Sequence, residues 1–357
     1  MSWLNRILVV RPDRIGDVVL STPVFDAIKK KVPDSKITVL VREQVAPLLK
    51  SHPSVDEIII YDPDGRHKGW TGIQMLSRDL GLGCFGTALV LQSQWRVALA
   101  IMLAGIPHRI GPKSKLHSYF LYNLSIRQNR SKSDRNEADY GLELASAVWE
   151  GATPTRQEFP SHLELSPAVR ASSRDWLQSK GWKEGEKLVA IHPGMGGSAL
   201  NWPEKNYIEL AEQISAKGVR VLLSFGPMDL ELAKRIEARL KEKKVTPIIY
   251  SSGNGQDSID FLAALFSWAL VVVAPSTGPL HIAAALGRPV VTFYSPIQVQ
   301  SSKRWGPFVR DSGKVHVLSP EVACGQVFSC IKERCPHFFC MDRLTVKHAL
   351  DEVIRYL

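Results

Sequence analysis

Short apolar runs recur along this chain, each closed by turn-forming or charged residues and followed by a stretch of helical spacing. In the first half, Ile7–Val10, Ile37–Val41, Glu57–Tyr61 and Ala88–Leu91 read as strands. The loop Arg11-Pro12-Asp13-Arg14-Ile15-Gly16-Asp17 follows the first of them. A single helix then carries Val18, Val19, Val24, Ala27 and Ile28 on its apolar face. Its last turn, Lys29-Lys30-Lys31, suits the negative helix end, and Pro33 stops it. The same grammar restarts with strands Leu188–Ile191, Val219–Ser224, Thr246–Tyr250, Leu270–Ala274 and Val290–Tyr294. Between them lie helices over Pro203–Lys217, Met228 to about Lys241, Ile259–Trp268 and the Ala-rich stretch after Thr277. Strand and helix alternating at this spacing predict parallel, doubly wound sheets of the α/β class. Residues 151–185 carry Pro154, Pro160 and Pro167 and only one strand-like piece, His162–Leu165, so the linker is expected there.

Size agrees with two domains, because 357 residues exceed a single typical core. The longest apolar run, Phe261–Ala274, is too short to span a bilayer and ends at Pro275. Residues 1–6 lack a signal-peptide pattern, so a cytoplasmic protein is expected. The formal charge of +10 is uneven, with eight Lys/Arg and one acid between Arg96 and Arg135. That segment is either a solvated basic loop or a surface for a polyanion such as a phosphorylated lipid, a membrane or a nucleic acid. Tyr119, Phe120 and Tyr122 within it suit an amphiphilic partner as well as RNA.

Three loops carry candidate chemistry. Pro275-Ser276-Thr277-Gly278-Pro279-Leu280-His281 joins a strand to a helix and offers two hydroxyls, backbone N–H groups and a positive helix end. These suit a phosphate, although a plain Ser/Thr-capped turn has the same composition. Asp17 ends the first strand-to-helix loop, where it is either a helix cap or a general base; Gly16, Arg11 and Arg14 beside it favour a site. The loop His192-Pro193-Gly194-Met195-Gly196-Gly197-Ser198-Ala199-Leu200-Asn201-Trp202-Pro203 is neither GxGxxG nor a Walker loop, yet its glycines let N–H groups face a diphosphate. Without a dinucleotide fingerprint at either half, an NAD enzyme is not expected. Cys324, Cys330, Cys335 and Cys340 lie close together near His337, at spacings that do not match a paired C-x2-C zinc ribbon. They read as a weak metal signal or as plain thiols.

Taken together, the opening R-I-L-V-V-R-P-D-R-I-G-D-V-V-L-S-T-P, the H-P-G-M-G-G-S-A-L-N-W-P loop and the P-S-T-G-P-L-H-I-A-A-A-L-G-R-P block resemble glycosyltransferase family 9, the ADP-heptose:lipopolysaccharide heptosyltransferase family. The resemblance runs from about Arg6 to Arg355. It implies a GT-B fold, with two Rossmann-like doubly wound domains facing an interdomain cleft. The expected divisions are an acceptor domain over 1–168, a donor domain over 169–343, and a C-terminal helix in 344–357 that packs back toward the first domain. It further implies inverting transfer of a heptose from ADP-L-glycero-β-D-manno-heptose to the inner core of lipopolysaccharide, with no metal and no cofactor. Asp17 matches the family's presumed base. Thr277, Gly278 and His281, with Ser276, match the block that holds the donor diphosphate and sugar. Met195, Gly196, Gly197 and Ser198 fall in the donor loop, and Glu231 is a loosely placed ribose partner. Arg11, Arg14, Gly16 and Lys205 are the expected acceptor or leaving-group residues.

The chain departs from well-known members at two positions. Ser276 replaces an Asp before Thr-Gly, and Leu200 replaces a basic residue before Trp-Pro, so Arg11, Arg14 or Lys205 is expected to supply the missing cation. Expected partners are the nucleotide-sugar donor, a phosphorylated lipid A–core acceptor and, through Arg96–Arg135, the inner face of the membrane, with no nucleic acid. Two alternatives stay open: another nucleotide sugar for surface polysaccharide, and a noncatalytic nucleotide-sugar or polyanion binder.

Overall fold

The structure is a computed structural model describing residues 2–197, 199–252 and 258–357. Two compact units divide the chain at Glu164/Leu165, slightly before the expected boundary. Each is built on one six-stranded sheet whose pairings are all parallel.

In the first unit, β1 (Arg6–Val10), β2 (Lys36–Val41), β3 (Glu57–Ile60), β4 (Thr87–Val90), β5 (His108–Pro112) and β6 (Leu124–Ile126) lie in the order β3-β2-β1-β4-β5-β6. The central strands are buried on both faces, which explains why β1 reads as an unbroken apolar run. In the second, β7 (Leu188–Ile191), β8 (Arg220–Phe225), β9 (Ile248–Ser251), β10 (Val271–Pro275), β11 (Val290–Phe293) and β12 (Val315–Leu318) repeat that order as β9-β8-β7-β10-β11-β12. Chain direction across the sheet reverses between β1 and β4, and between β7 and β10. Ligands of doubly wound sheets bind at the strands' carboxyl ends beside such a switch point.

The single helix expected after β1 is two helices, Ile15–Val19 and Thr22–Lys31. Pro23 is the cause: it lacks an N–H, and its ring clashes with the carbonyl four residues back. Ser21 and Thr22 complete the break by donating their hydroxyls to the freed carbonyls of Asp17 (2.8 Å) and Val19 (2.9 Å). Asp17 thus sits on a short helix of its own at the sheet edge.

The expectation that the last helix packs back toward the first domain is corrected. The helix Val346–Ile354 lays Val346, Ala349 and Val353 into the second unit's core, against the helix Glu204–Ser215 and strands β11 and β12. Its amphipathic spacing provides one apolar face, and that face is used there. Thr345 and His348 close a capping box at its start. Just upstream, the Leu344 carbonyl accepts from Trp202 Nε1 (2.6 Å) and Asn206 Nδ2 (3.3 Å).

Candidate active site

Asp17 and the residues around it form a compact charged cluster at the β1 switch point. Arg11, only 3 % exposed, extends from the end of β1 and is held by three carboxylates. Its Nη2 lies 2.9 Å from Asp17 Oδ1 and 3.3 Å from Glu137 Oε1, and its Nε is 3.0 Å from Asp13 Oδ2. Glu137 opens the helix Glu137–Trp149 and also accepts from Arg130 Nη1 at 2.7 Å. Burial alone would depress the Arg11 guanidinium, but Asp17, Glu137 and Asp13 together raise its proton affinity above the ordinary value. Burial also pushes the Asp13 carboxyl up to about 6, against the pull of Arg11. Arg11 is therefore not the spare cation expected of it: it is buried and paired with three carboxylates, Asp17 among them. Arg14, by contrast, is exposed at the head of the helix Ile15–Val19, followed by Ile15 and Gly16.

A cavity of about 390 Å³ opens on the same unit, lined by Tyr61, Gln94, Trp95, Arg96, Lys115 and His117. These residues follow the carboxyl ends of β3, β4 and β5. His117 Nε2 meets Ser93 Oγ at 2.6 Å, Ser93 Oγ meets the Tyr122 hydroxyl at 2.7 Å, and Lys115 Nζ donates to the Ser93 carbonyl at 3.3 Å. Sequence reasoning did not find this pocket, because its walls come from three separate loops. It also revises the basic segment. Arg109 donates to the Ile106 and Leu121 carbonyls, Arg130 to Glu137, Gln128 and the Leu91 carbonyl, and Arg135 to Glu143. Those three cations turn inward, while Arg96 and Lys115 line the cavity.

In the second unit the loops after β7 and β10 flank the other switch point. Gly196 and Gly197 have φ of +60° and +73°, left-handed values that account for glycine at both positions. Met195 precedes them, and Ser198 lies outside the described residues. Asn201 fixes the loop's exit. Its Nδ2 donates to the Pro193 carbonyl (2.8 Å), and its Oδ1 accepts from Trp202 N (2.7 Å) and the Tyr207 hydroxyl (2.9 Å). Trp202 is buried and stacks on Phe293 at 4.2 Å. Leu200, where a cation is absent, packs against this core.

After β10, Thr277 heads the helix Gly278–Ala285 without a side-chain capping bond; its hydroxyl donates back to the Pro275 carbonyl at 3.4 Å. Ser276 is half-buried beside it, and the Tyr294 hydroxyl donates to the Trp305 carbonyl. His281 is 5 % exposed, its Nδ1 has no hydrogen-bond partner among the described residues, and burial lowers its pKa to about 4, so it is a neutral imidazole. A helix start with no side-chain cap leaves its first N–H groups able to meet an anion.

The other expected residues stand apart from this loop pair. Glu231 is largely exposed and pairs with Lys234 at 2.8 Å. Asp229, which the sequence did not single out, is half-buried, accepts from Gly226 N at 3.2 Å and lies against Gly194 at the base of the glycine loop. Burial raises its pKa. Lys205 is well exposed, 3.7 Å from Asp342. The cysteines are free thiols: Cys330 and Cys335 accept N–H bonds from Lys332 and His337, and Cys340 is buried.

The paired sheets and their switch-point loops are those of a GT-B glycosyltransferase. A glycosyl transferase family 9 structure from Veillonella parvula superposes with a TM-score of 0.86 at 21 % identity, covering 99 % of this chain and 97 % of that one. The Escherichia coli ADP-heptose lps heptosyltransferase II gives 0.77 at 24 % identity, with 98 % of each chain covered. In sequence, lipopolysaccharide heptosyltransferase 2 of Escherichia coli K12 is 28 % identical over 296 residues, 82 % of this chain and 83 % of that protein. The model of glycosyltransferase family 9 (heptosyltransferase) matches residues 73–330, and the chain belongs to that family.

Proposed function

We propose that this protein transfers a heptose from ADP-L-glycero-β-D-manno-heptose to the inner core of lipopolysaccharide, with inversion at the anomeric carbon. The lipopolysaccharide heptosyltransferases similar to it over most of its length support this donor and acceptor. The observation that carries the reading is the Asp17 carboxylate, held through Oδ1 by the buried Arg11 at a sheet switch point. Arg11 leaves Oδ2 to accept a proton from an acceptor hydroxyl. As the hydroxyl oxygen bonds to the anomeric carbon, the bond to the diphosphate oxygen breaks and ADP leaves with the electron pair. The proton goes to Asp17.

On the second unit, the N–H groups heading Gly278–Ala285 and the His281 ring stabilise the departing diphosphate. Arg14, exposed on the first unit, is the cation proposed for the charge that Leu200 does not supply. The cavity beside Trp95, with Arg96 and Lys115, suits a phosphorylated core sugar, and exposed Leu116, Tyr119 and Phe120 next to it suit the membrane face that carries such acceptors.

The test is nucleoside diphosphate release with ADP-heptose and a panel of UDP-, GDP- and dTDP-sugars, with a heptose-deficient core oligosaccharide as acceptor. ADP release confined to ADP-heptose plus acceptor, lost in Asp17→Asn while donor binding persists, is the expected result. Turnover with another nucleotide sugar moves the donor, a reading favoured by Ser276, which stands where well-known members carry a carboxylate. Full activity in Asp17→Asn removes Asp17 as the base.

A further inference from the structure

A second cluster lies elsewhere on the first unit and is not used in the transfer reaction. Asp26 on the helix Thr22–Lys31, His52 beyond the turn at Leu49, and His162 in the segment before the unit boundary converge. One ligand atom from each lies within 4.8 Å of the others. Asp26 Oδ2 is 3.0 Å from His162 Nδ1, and Asp26 Oδ1 accepts the Ser54 hydroxyl at 2.6 Å. His52 is 2 % exposed, set edge-on against Phe25 and 4.6 Å from the His162 ring. Its Nε2 is buried with no hydrogen-bond partner among the described residues. A buried ring nitrogen left without a partner needs an explanation, and a carboxylate with a second imidazole lies beside it.

We propose that Asp26, His52 and His162 bind one divalent transition-metal ion of the zinc class, fastening the chain around His162 to the helix Thr22–Lys31. Two imidazoles and a carboxylate suit Zn2+, Co2+ or Ni2+ rather than Mg2+ or Ca2+. Tetrahedral ligands at zinc distances sit roughly 3.3 Å apart, a spacing the Asp26–His162 pair already has. The other separations, all within 4.8 Å, must shorten by up to roughly 1.5 Å on binding. Coordination through His52 Nε2 places the ring proton on Nδ1, so the long 3.3 Å contact from Ser54 N–H is given up. His162 releases its proton when the metal replaces it against Asp26. The Ser54 hydroxyl fixes the carboxylate from outside, as partners behind metal ligands do. The His162 N–H already donates to Thr22 Oγ1 at 3.2 Å, so the metal would reinforce an existing attachment.

The experiment is a Co2+ titration of the chelator-stripped full chain, followed by visible d–d absorption, with Zn2+ thermal shifts alongside. Expected is one equivalent bound without a thiolate-to-cobalt charge-transfer band, which separates this site from Cys324–Cys340. His162→Ala, at a position one-third exposed, and Asp26→Asn should each weaken binding at least tenfold and abolish the Zn2+ stabilisation. Circular dichroism checks that each is folded, and His162→Gln replaces the alanine variant if it is not. Undiminished affinity in the folded variants, a thiolate band alone, or no binding overturns the proposal and leaves an ordinary His–Asp ion pair.

Discussion

Arg11 offers the sharpest test of the site's physics. Arg11→Met keeps most of the side chain's length and removes the charge, so Asp13, Asp17 and Glu137 face one another with Arg130 as their nearest cation. Breaking a buried ion pair from one side costs about 3–5 kcal/mol, because the surviving charges stay buried without compensation. Asp17 and Asp13 are slightly exposed, which favours the lower end, about 3 kcal/mol. For a unit the size of Met1–Glu164 this lowers Tm by roughly 6–12 °C. The deficit must depend on pH. Asp13 titrates at about 6, so at pH 5 it is mostly protonated and one of the three negative charges is gone. Thermal unfolding of wild type and variant at pH 8 and pH 5 therefore shows a large gap that narrows on acidification. Turnover of the folded variant falls about a hundredfold, as misplacement of a catalytic group by an ångström does. A Tm within 2 °C of wild type at pH 8 (roughly half a kilocalorie), or a gap equally wide at pH 5, would refute the argument that Arg11 compensates these carboxylates.

Two further outcomes follow from the same geometry. Asp13 has a folded-state pKa raised to about 6 from an ordinary 3.8. The native state thus holds the proton more tightly than the unfolded chain, and the group's effect on stability worsens as pH rises between those values. Above pH 6 the full penalty, of order 3 kcal/mol, is present; Asp13→Asn should then be more stable than wild type at pH 8 and equal to it near pH 4, and lower stability at pH 8 would count against it. Gly197→Ala meets no neighbouring atom but is strained by about 1–2 kcal/mol at φ of +73°, a strain the free loop sheds by relaxing and donor binding must restore; donor Kd should weaken about 5- to 30-fold with Tm nearly unchanged, and calorimetry with an unchanged Kd would show that the loop binds in another conformation.

Much of this arrangement is legible in the sequence because central parallel strands are buried on both faces. β1, β7 and β10 are therefore plain apolar runs, and the loops that end them stand out. The strands the sequence did not reveal lie toward the sheet edges. β5 begins His108-Arg109 and ends in Pro112, β6 has three residues, and β12 alternates around His316. Half-exposed strands need no continuous apolar run, so their pattern merges with loop. The charged cluster had the same obstacle in another form. Arg11 and Asp17 are neighbours in sequence, but Glu137 is 126 residues from Arg11, and only the fold of the sheet and the capping of the helix Glu137–Trp149 bring it there. Asp26, His52 and His162 are likewise separated along the chain, with no spacing that marks a ligand set.

Leu200 bears on how this protein can change over evolutionary time. Its side chain is part of the wall behind Trp202, so a mutation restoring a basic residue there removes apolar contact, about 1–2 kcal/mol for a half-buried leucine, before any benefit to the leaving group is felt. The reverse step has become uphill on its own. On the proposed mechanism, a lineage that settled on Leu200 draws the leaving group's positive charge from another position. If Arg14 is that position, as proposed, its substitution should be tolerated in relatives with a cation at this place in the loop and harmful in this one.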